Sequence, residues 1–166
     1  MVEIMPFGKY QNDSVEQIAL KDYKYFTYII SSITLKKPSL KDRFNFVEHV
    51  ANHFVSETRC SGKECENPAE LISIYHNCQM NVRTSSSHFV YCSSQCFNSD
   101  SEVTNERQKV SLMPLRFKTS LSQTKWDTNL LIEVIADCMG IKEGRKTKEY
   151  LEDFFNTRQL RVPYSR

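Results

Sequence analysis

Two close cysteine pairs, Cys60-x4-Cys65 and Cys92-x3-Cys96, flank a segment that reads as a β-hairpin, and they constrain this chain more than any other feature. The hairpin is expected from Leu71-Ile72-Ser73-Ile74-Tyr75 and His88-Phe89-Val90-Tyr91, which have the β-branched and aromatic character of strands and are separated by a polar turn. Thiolate pairs a few residues apart each chelate two corners of a tetrahedron from one tight turn. Gly62 relieves the backbone of the first turn. In the second pair the i,i+4 spacing fits a helix whose first turn points both sulfurs the same way, and a helix N-terminus favours thiolate over thiol. The expected cofactor is one structural Zn2+ on Cys60, Cys65, Cys92 and Cys96, since four protein thiolates leave no position for water or substrate. The alternatives are two disulfides in a secreted protein, or unmetallated core cysteines.

The other candidate ligands read differently. Cys78 lies inside the hairpin region, where it is read as a bystander near the turn, with substitution for one ligand as the alternative. His76 and His88 would reach the metal only if one cysteine were not a ligand. His49 and His53 are four apart on a helix but lack the intervening glutamate of a metalloprotease helix, so they are read as boundary or surface residues. Cys138 falls on the apolar face of its helix and is read as core.

Six cysteines with no secretion signal point to a reducing compartment. Met1-Val2-Glu3-Ile4-Met5-Pro6 lacks a basic patch followed by an apolar stretch, so it does not read as a signal peptide. No apolar run approaches the length a bilayer requires. The expectation is an intracellular protein, cytoplasmic or nuclear if eukaryotic, that does not engage a membrane. At 166 residues the chain can bury one real core with a small metal-stapled lobe beside it. A net charge of +2 neither demands nor forbids an anionic partner.

An α+β architecture is expected: a helical N-terminal part (1–57), a zinc-stapled hairpin and helix (58–100), and a C-terminal part with one strand and two helices (101–166), packed as one compact unit. Ser14 with Gln17 makes a capping box for a first helix, and Asp22 caps a second. Pro38 stops that second helix, and Ser39 with Asp42 opens a third, on which Leu40, Phe44, Val47, Ala51, Phe54 and Val55 form an apolar stripe. A strand is expected from Val110 to Phe117, a helix near 127–139, and a last helix capped by Thr147.

Catalytic motifs are hard to find. Acidic residues are scattered, with no Asp-x-Glu pair on a strand of the kind a two-metal nuclease uses. There is no Gly-rich phosphate loop followed by Lys-Ser or Lys-Thr, and no Gly-x-Ser-x-Gly elbow. The chain is therefore read as a non-enzyme rather than a hydrolase.

The N-terminus carries a distinctive string, Met5-Pro6-Phe7-Gly8-Lys9-Tyr10, then Ser14-Val15-Glu16-Gln17-Ile18 and Asp22-Tyr23-Lys24-Tyr25-Phe26. This resembles the small domain at the C-terminus of exodeoxyribonuclease X and in stand-alone phage, bacterial and archaeal proteins, over about the first thirty residues. The turn differs, with Gln11-Asn12-Asp13 where Lys-Gly is common, and the tryptophan that often ends the second helix is missing. The resemblance implies association with nucleic-acid processing, without the catalytic exonuclease domain. Knuckle, hairpin and helix is also the order of a treble-clef zinc finger, and Phe89-Val90-Tyr91-Cys92-Ser93-Ser94-Gln95-Cys96 resembles the final ligand pair of several of its members. The first knuckle is wider than the usual two-residue spacing.

Phe7, Lys9 and Tyr10 suit a phosphate with a stacked base or sugar. Equally, Phe7 and Tyr10 are buried anchors, Gly8 makes the turn and Lys9 is solvated. A second basic group, Lys142, Arg145, Lys146 and Lys148, followed by Arg158, Arg161 and Arg166, can track a phosphate backbone, with Tyr164 available for stacking. Read plainly, it is a solvated basic end. Lys36, Lys37 and Lys41 would extend that surface if the fold brought them close. The leading expectation is a zinc-containing, non-catalytic nucleic-acid-binding accessory protein acting in DNA or RNA processing, with a nuclease or other processing protein as a further candidate partner. The alternative is a protein-interaction adaptor or a structural subunit of a larger complex.

Overall fold

The computed structural model describes residues 2–79, 82–100, 108–117, 128–142, 144 and 146–164. It is α+β, with helices and a three-stranded antiparallel sheet, and it divides into two compact units: Met1–Val55 with Arg116–Arg166, and Ser56–Leu115.

The first unit is helical. Ser14 opens α1 (Val15–Lys21) through a complete capping box: its hydroxyl accepts from the Gln17 N–H, and the Gln17 side chain accepts from the Ser14 N–H. Asp22 ends α1 and caps α2 (Tyr23–Ser32), accepting the Tyr25 N–H at 3.0 Å. The third helix, α3 (Pro38–His53), starts differently from expectation. Lys37 is the N-cap with no side-chain bond and Pro38 occupies the first turn, so Ser39 is already inside the helix and cannot cap it. Proline's fixed φ and missing N–H suit the start of a helix rather than its stop. The chain then passes through the second unit, which contributes α4 (Ser94–Ser99), so the next helix of this unit is α5 (Thr128–Met139), followed by α6 (Lys148–Thr157) with Thr147 accepting the Tyr150 N–H. Gly140, at φ 89°, closes α5: Ile141 N–H reaches the Ala136 carbonyl and Gly140 N–H reaches that of Asp137.

Short α1 is the hub and touches α2, α3, α5 and α6. Val15, Ile18 and Ala19 are buried there together with Phe26, Phe44, Leu131, Ile135, Leu151 and Phe155. Tyr23 stacks on Phe26 and lies 4.9 Å from Phe117. Phe117 was expected at the end of a strand, but the strand stops at Pro114, whose missing N–H cannot extend the ladder, and Phe117 joins the aromatic core of the helical unit. After α6 the chain returns along the end of α3, with Val55 N–H on the Gln159 carbonyl and Arg161 N–H on that of His53.

The second unit holds β1 (Leu71–Gln79), β2 (Val82–Tyr91), α4 (Ser94–Ser99) and β3 (Gln108–Pro114). The sheet order is β2-β1-β3, all antiparallel, with Leu71 opposite both Tyr91 and Pro114 and Ile72 opposite both Val90 and Met113. A lone hairpin is marginal in water, and the third strand supplies the pairing it lacks. Alternation sorts the side chains: Ile72, Val90 and Met113 are buried on one face, and Leu71, Phe89, Tyr91 and Leu112 are presented on the other with the cysteines. Among the described residues, no helix is long and apolar enough to cross a membrane.

Candidate functional site

The four cysteines come from two turns at one end of the sheet. The first turn is carried by a small hairpin of its own, in which Ala69 N–H reaches the Thr58 carbonyl and Cys60 N–H reaches that of Asn67. It is tied to the sheet by Ser61 N–H on the Val90 carbonyl at 2.7 Å and by Glu70 N–H on the Tyr91 carbonyl at 2.8 Å. Within the knuckle, Cys65 N–H closes on the Gly62 carbonyl, and the extra residue Glu64 takes a left-handed φ of 59°. Gly62 lies close to the sulfurs: a β-carbon there would be 3.3 Å from both Cys60 Sγ and Cys96 Cβ, so those neighbours would have to give by a few tenths of an ångström. The second pair departs from expectation in one respect. Cys92 precedes the helix rather than lying in it; Ser93 is the N-cap of α4, accepting the Cys96 N–H at 3.2 Å, so only Cys96 sits in the first turn.

The outcome is convergence. One sulfur from each of Cys60, Cys65, Cys92 and Cys96 lies within 4.8 Å of all the others, and the four can hold a metal ion. Cys65 and Cys92 sulfurs are 3.6 Å apart, Cys92 and Cys96 3.4 Å, and Cys65 and Cys96 3.9 Å. All four are free thiols, so neither pair is a disulfide. Gly62 N–H donates to Cys60 Sγ at 3.3 Å, and the Cys92 N–H donates to the same sulfur. A wall of Tyr91, Leu71, Phe89, Phe97 and Leu112 surrounds the cluster, with Tyr91 Oη donating to Asp100 Oδ2 at 2.9 Å.

The sulfurs compete for protons. Cys92 is pulled down to about 7, first by the hydrogen bond from the Cys96 thiol and then by that of Cys65, against the effect of burial. Cys96 is correspondingly pushed up to about 12, chiefly because it is the donor to Cys92. Burial raises Cys60, against the two backbone N–H groups. One negative charge is thus accommodated among the sulfurs and further ones are resisted, the condition that a cation placed among them relieves.

The other candidate ligands whose side chains are described stand apart. His49 and His53 stack at 4.2 Å and bond to backbone carbonyls, His49 to Val162 and His53 to His49. Cys138 is buried in α5. His88 is exposed on β2 and is not part of the sulfur cluster. Cys78 and His76 are placed on β1 by backbone only, and their side chains lie outside the described part.

The proposed nucleic-acid contacts lie in the helical unit. Residues 5–13 form a closed loop in which Met5 N–H bonds the Asp13 carbonyl and Asn12 N–H that of Met5. Phe7 is exposed, Tyr10 half-buried. Lys9 is exposed but engaged: its ammonium lies 3.0 Å from Asp22 Oδ2 and 4.8 Å from the centre of the Tyr10 ring, while Tyr10 Oη donates to the same carboxylate at 3.1 Å. Hydrogen bonding with Tyr10 and then Asp22 raises the Lys9 pKa. Burial alone would raise that of Asp22, but the Tyr25 N–H, Lys9 and Tyr10 hold it below its ordinary value.

The fold brings Lys148 to this loop and the Lys146 backbone to α1. Lys148 Nζ bonds the Asn12 carbonyl at 2.5 Å, and the Lys146 carbonyl accepts from Gln17 Nε2 at 3.0 Å. Arg158 and Arg161 follow the other end of α6, with the Arg158 guanidinium 5.1 Å from the Phe154 ring. Arg145 and Arg166 lie outside the described residues. Tyr164 packs 5.3 Å from Phe46 and 5.2 Å from His49, so its ring is occupied rather than held ready for a base.

Gly8 fixes the loop and yields a prediction. Its φ is 80°, and a β-carbon would sit 2.3 Å from Tyr25 Oη. Gly8→Ala is expected to destabilise the helical unit by about 1–3 kcal/mol, seen as a lower denaturation midpoint. Adding Tyr25→Phe should recover the steric share and leave the cost of the left-handed backbone. An unchanged midpoint in Gly8→Ala would contradict the tight approach.

Comparison with protein-family models, with curated proteins and with solved structures yields no match for this chain.

Proposed function

We propose that the chain is a zinc-stapled, non-catalytic module that binds nucleic acid as an accessory to DNA or RNA processing. The observation that carries the zinc part is the spacing of the sulfurs. A tetrahedral site with metal–sulfur bonds of about 2.3 Å has edges of about 3.8 Å, and the separations of 3.4, 3.6 and 3.9 Å bracket that length. A set of four thiolates suits zinc, and it saturates the ion, so the metal's role is to hold the knuckle, the hairpin and α4 together. That order of elements, with one ligand just after the hairpin and one in the first helical turn, supports a treble-clef reading.

The nucleic-acid part rests on the loop that carries Phe7, Lys9 and Tyr10, on Lys148 bonded to it, and on Lys146 two residues earlier in the chain. Lysine ammonium groups neutralise phosphates and release counterions, so binding should weaken linearly in log–log with salt. The likeness of Pro6-Phe7-Gly8-Lys9-Tyr10 to the domain attached to exodeoxyribonuclease X supports the same assignment. Lys146→Glu combined with Lys148→Glu is expected to weaken binding to a heparin or oligonucleotide probe more than tenfold and to reduce the salt slope by about 2. Unchanged retention on heparin would remove the basis of the reading. One observation favours the protein-interaction adaptor instead: an open cavity of about 790 Å³ beside the cysteines, lined by Lys63, Asn67, Phe89, Gln95 and Asp100 among others, mixes charge and apolar surface as a protein contact does. Loss of heparin retention together with stoichiometric co-purification of one protein would select it.

A further inference from the structure

The surface beside the Phe7–Tyr10 loop carries an aromatic row that the sequence reading did not connect. Phe7 and Tyr28 are 42% and 51% exposed, and among the described residues they are the two aromatic members of the exposed large apolar residues. The Phe7–Tyr10 loop and α2 meet at Tyr25. Phe7 leads directly into Gly8, where a β-carbon would lie 2.3 Å from the Tyr25 hydroxyl, and the Tyr25 ring is 5.2 Å from Tyr10 and 6.4 Å from Tyr28. Tyr25 and Tyr28 stand one turn apart on α2, opposite its buried Tyr23, Phe26 and Ile29.

Exposed apolar rings that neighbour one another need an explanation, because a helix does better with polar residues on its solvent face. The charges around them say what suits the patch. Lys24 is exposed on the same helix, and its ammonium has no partner among the described residues. The exposed Lys9 and Lys21 are anchored on Asp22 and Asp13, which fixes their position and leaves them partly solvated. Exposed rings flanked by cations match a chain of unpaired bases on a phosphate backbone, in which each base presents a face and each link a negative charge. A duplex presents phosphates but keeps its base faces stacked inside.

We propose that Tyr28 and Phe7, joined through Tyr25, form a stacking platform for single-stranded nucleic acid, with Lys24 as a phosphate contact. This rests on the nucleic-acid reading above and narrows it to unpaired strands. Tyr28 is the test residue because alanine there leaves the core untouched and is the better helix former.

The experiment is fluorescence anisotropy of the full chain with an oligothymidylate of about ten nucleotides, a phosphate backbone of the same length bearing abasic sites, and a duplex of that length. The abasic strand is expected to bind at least about tenfold more weakly than the oligothymidylate, and Tyr28→Ala to lower oligothymidylate affinity by a similar factor without changing the salt slope. Lys24→Glu should weaken both strands alike and reduce the slope. Equal affinity for the normal and abasic strands, or a duplex bound as tightly as the single strand, would overturn the platform while leaving the phosphate-binding reading intact. No binding to any of the three would overturn both.

Discussion

Cys60→Ser is expected to leave the purified chain without stoichiometric zinc and the Ser56–Leu115 unit without a stable fold. Cys60 is the buried one of the four clustered cysteines, 7% exposed, and its sulfur receives the Gly62 and Cys92 N–H groups. A serine oxygen is shorter and harder than a thiolate and is a poor zinc ligand in that place. Among the described residues the buried cluster around the sulfurs comprises Cys60 and Tyr91, with half-buried residues packed against them, so their apolar contribution at that end of the sheet is small. Structural zinc in finger peptides binds with about 10–16 kcal/mol, which matches or exceeds the roughly 5–15 kcal/mol that holds a whole domain.

Elemental mass spectrometry should give about one zinc per wild-type chain and none for Cys60→Ser. Amide exchange in β1 and β2 should lose its protection in the variant, and a strong chelator should produce the same change in the wild type. Cys138→Ser, in the helical unit, is the control and should keep the metal. Iron in place of zinc would correct the identity of the ion and retain the staple. A Cys60→Ser chain that kept one metal and its exchange protection would show that the sulfurs converge for another reason.

What the sequence disclosed and what it withheld divide by range. Caps at Ser14, Asp22 and Thr147 are local, each made with a backbone N–H three residues on, and they were legible because the chemistry of a cap lies within one turn. The paired spacing of the cysteines was legible for the same reason, since each pair closes in its own turn. Pro38 shows the limit even of local reading: the same residue ends one helix or begins the next, and only the position of the chain before it decides. Pairing of β3 with β1 rather than β2 depends on the route of the whole chain and left no mark in the strand itself. The basic C-terminal run looked like one patch in sequence. In space Lys148 meets Asn12, 136 positions away, while Arg158 and Arg161 go with the opposite end of α6. Tyr25 and Tyr28 were hidden because an aromatic on a helix reads as core unless its face is known.

Arg43→Ala is expected to be the most damaging substitution in the helical unit, although nothing in the sequence marks Arg43. Its guanidinium reaches three places. It pairs with Glu16 Oε1 on α1, donates to Asn156 Oδ1 at 2.6 Å, and donates to the Glu152 carbonyl at 3.4 Å, both on α6. The Glu16 side chain is 1% exposed and that of Arg43 14%, and Glu16 Oε2 has no hydrogen-bond partner. Removing the arginine therefore leaves a buried carboxylate with no compensation, which costs about 3–5 kcal/mol. For a unit of this size that lowers the melting temperature by on the order of 10–20 °C. Lysine should not rescue the loss, because a single ammonium cannot span α1 and α6 as the planar fork does. Glu16→Leu combined with Arg43→Met should recover most of the stability, since it removes the desolvated charge along with its partner. A melting temperature within about 3 °C of wild type for Arg43→Ala would mean that the pair is solvent-screened. Recovery in the double variant would instead place the cost in the orphaned Glu16 carboxylate, and α1 would then hold its position through the packing of Val15, Ile18 and Ala19 alone.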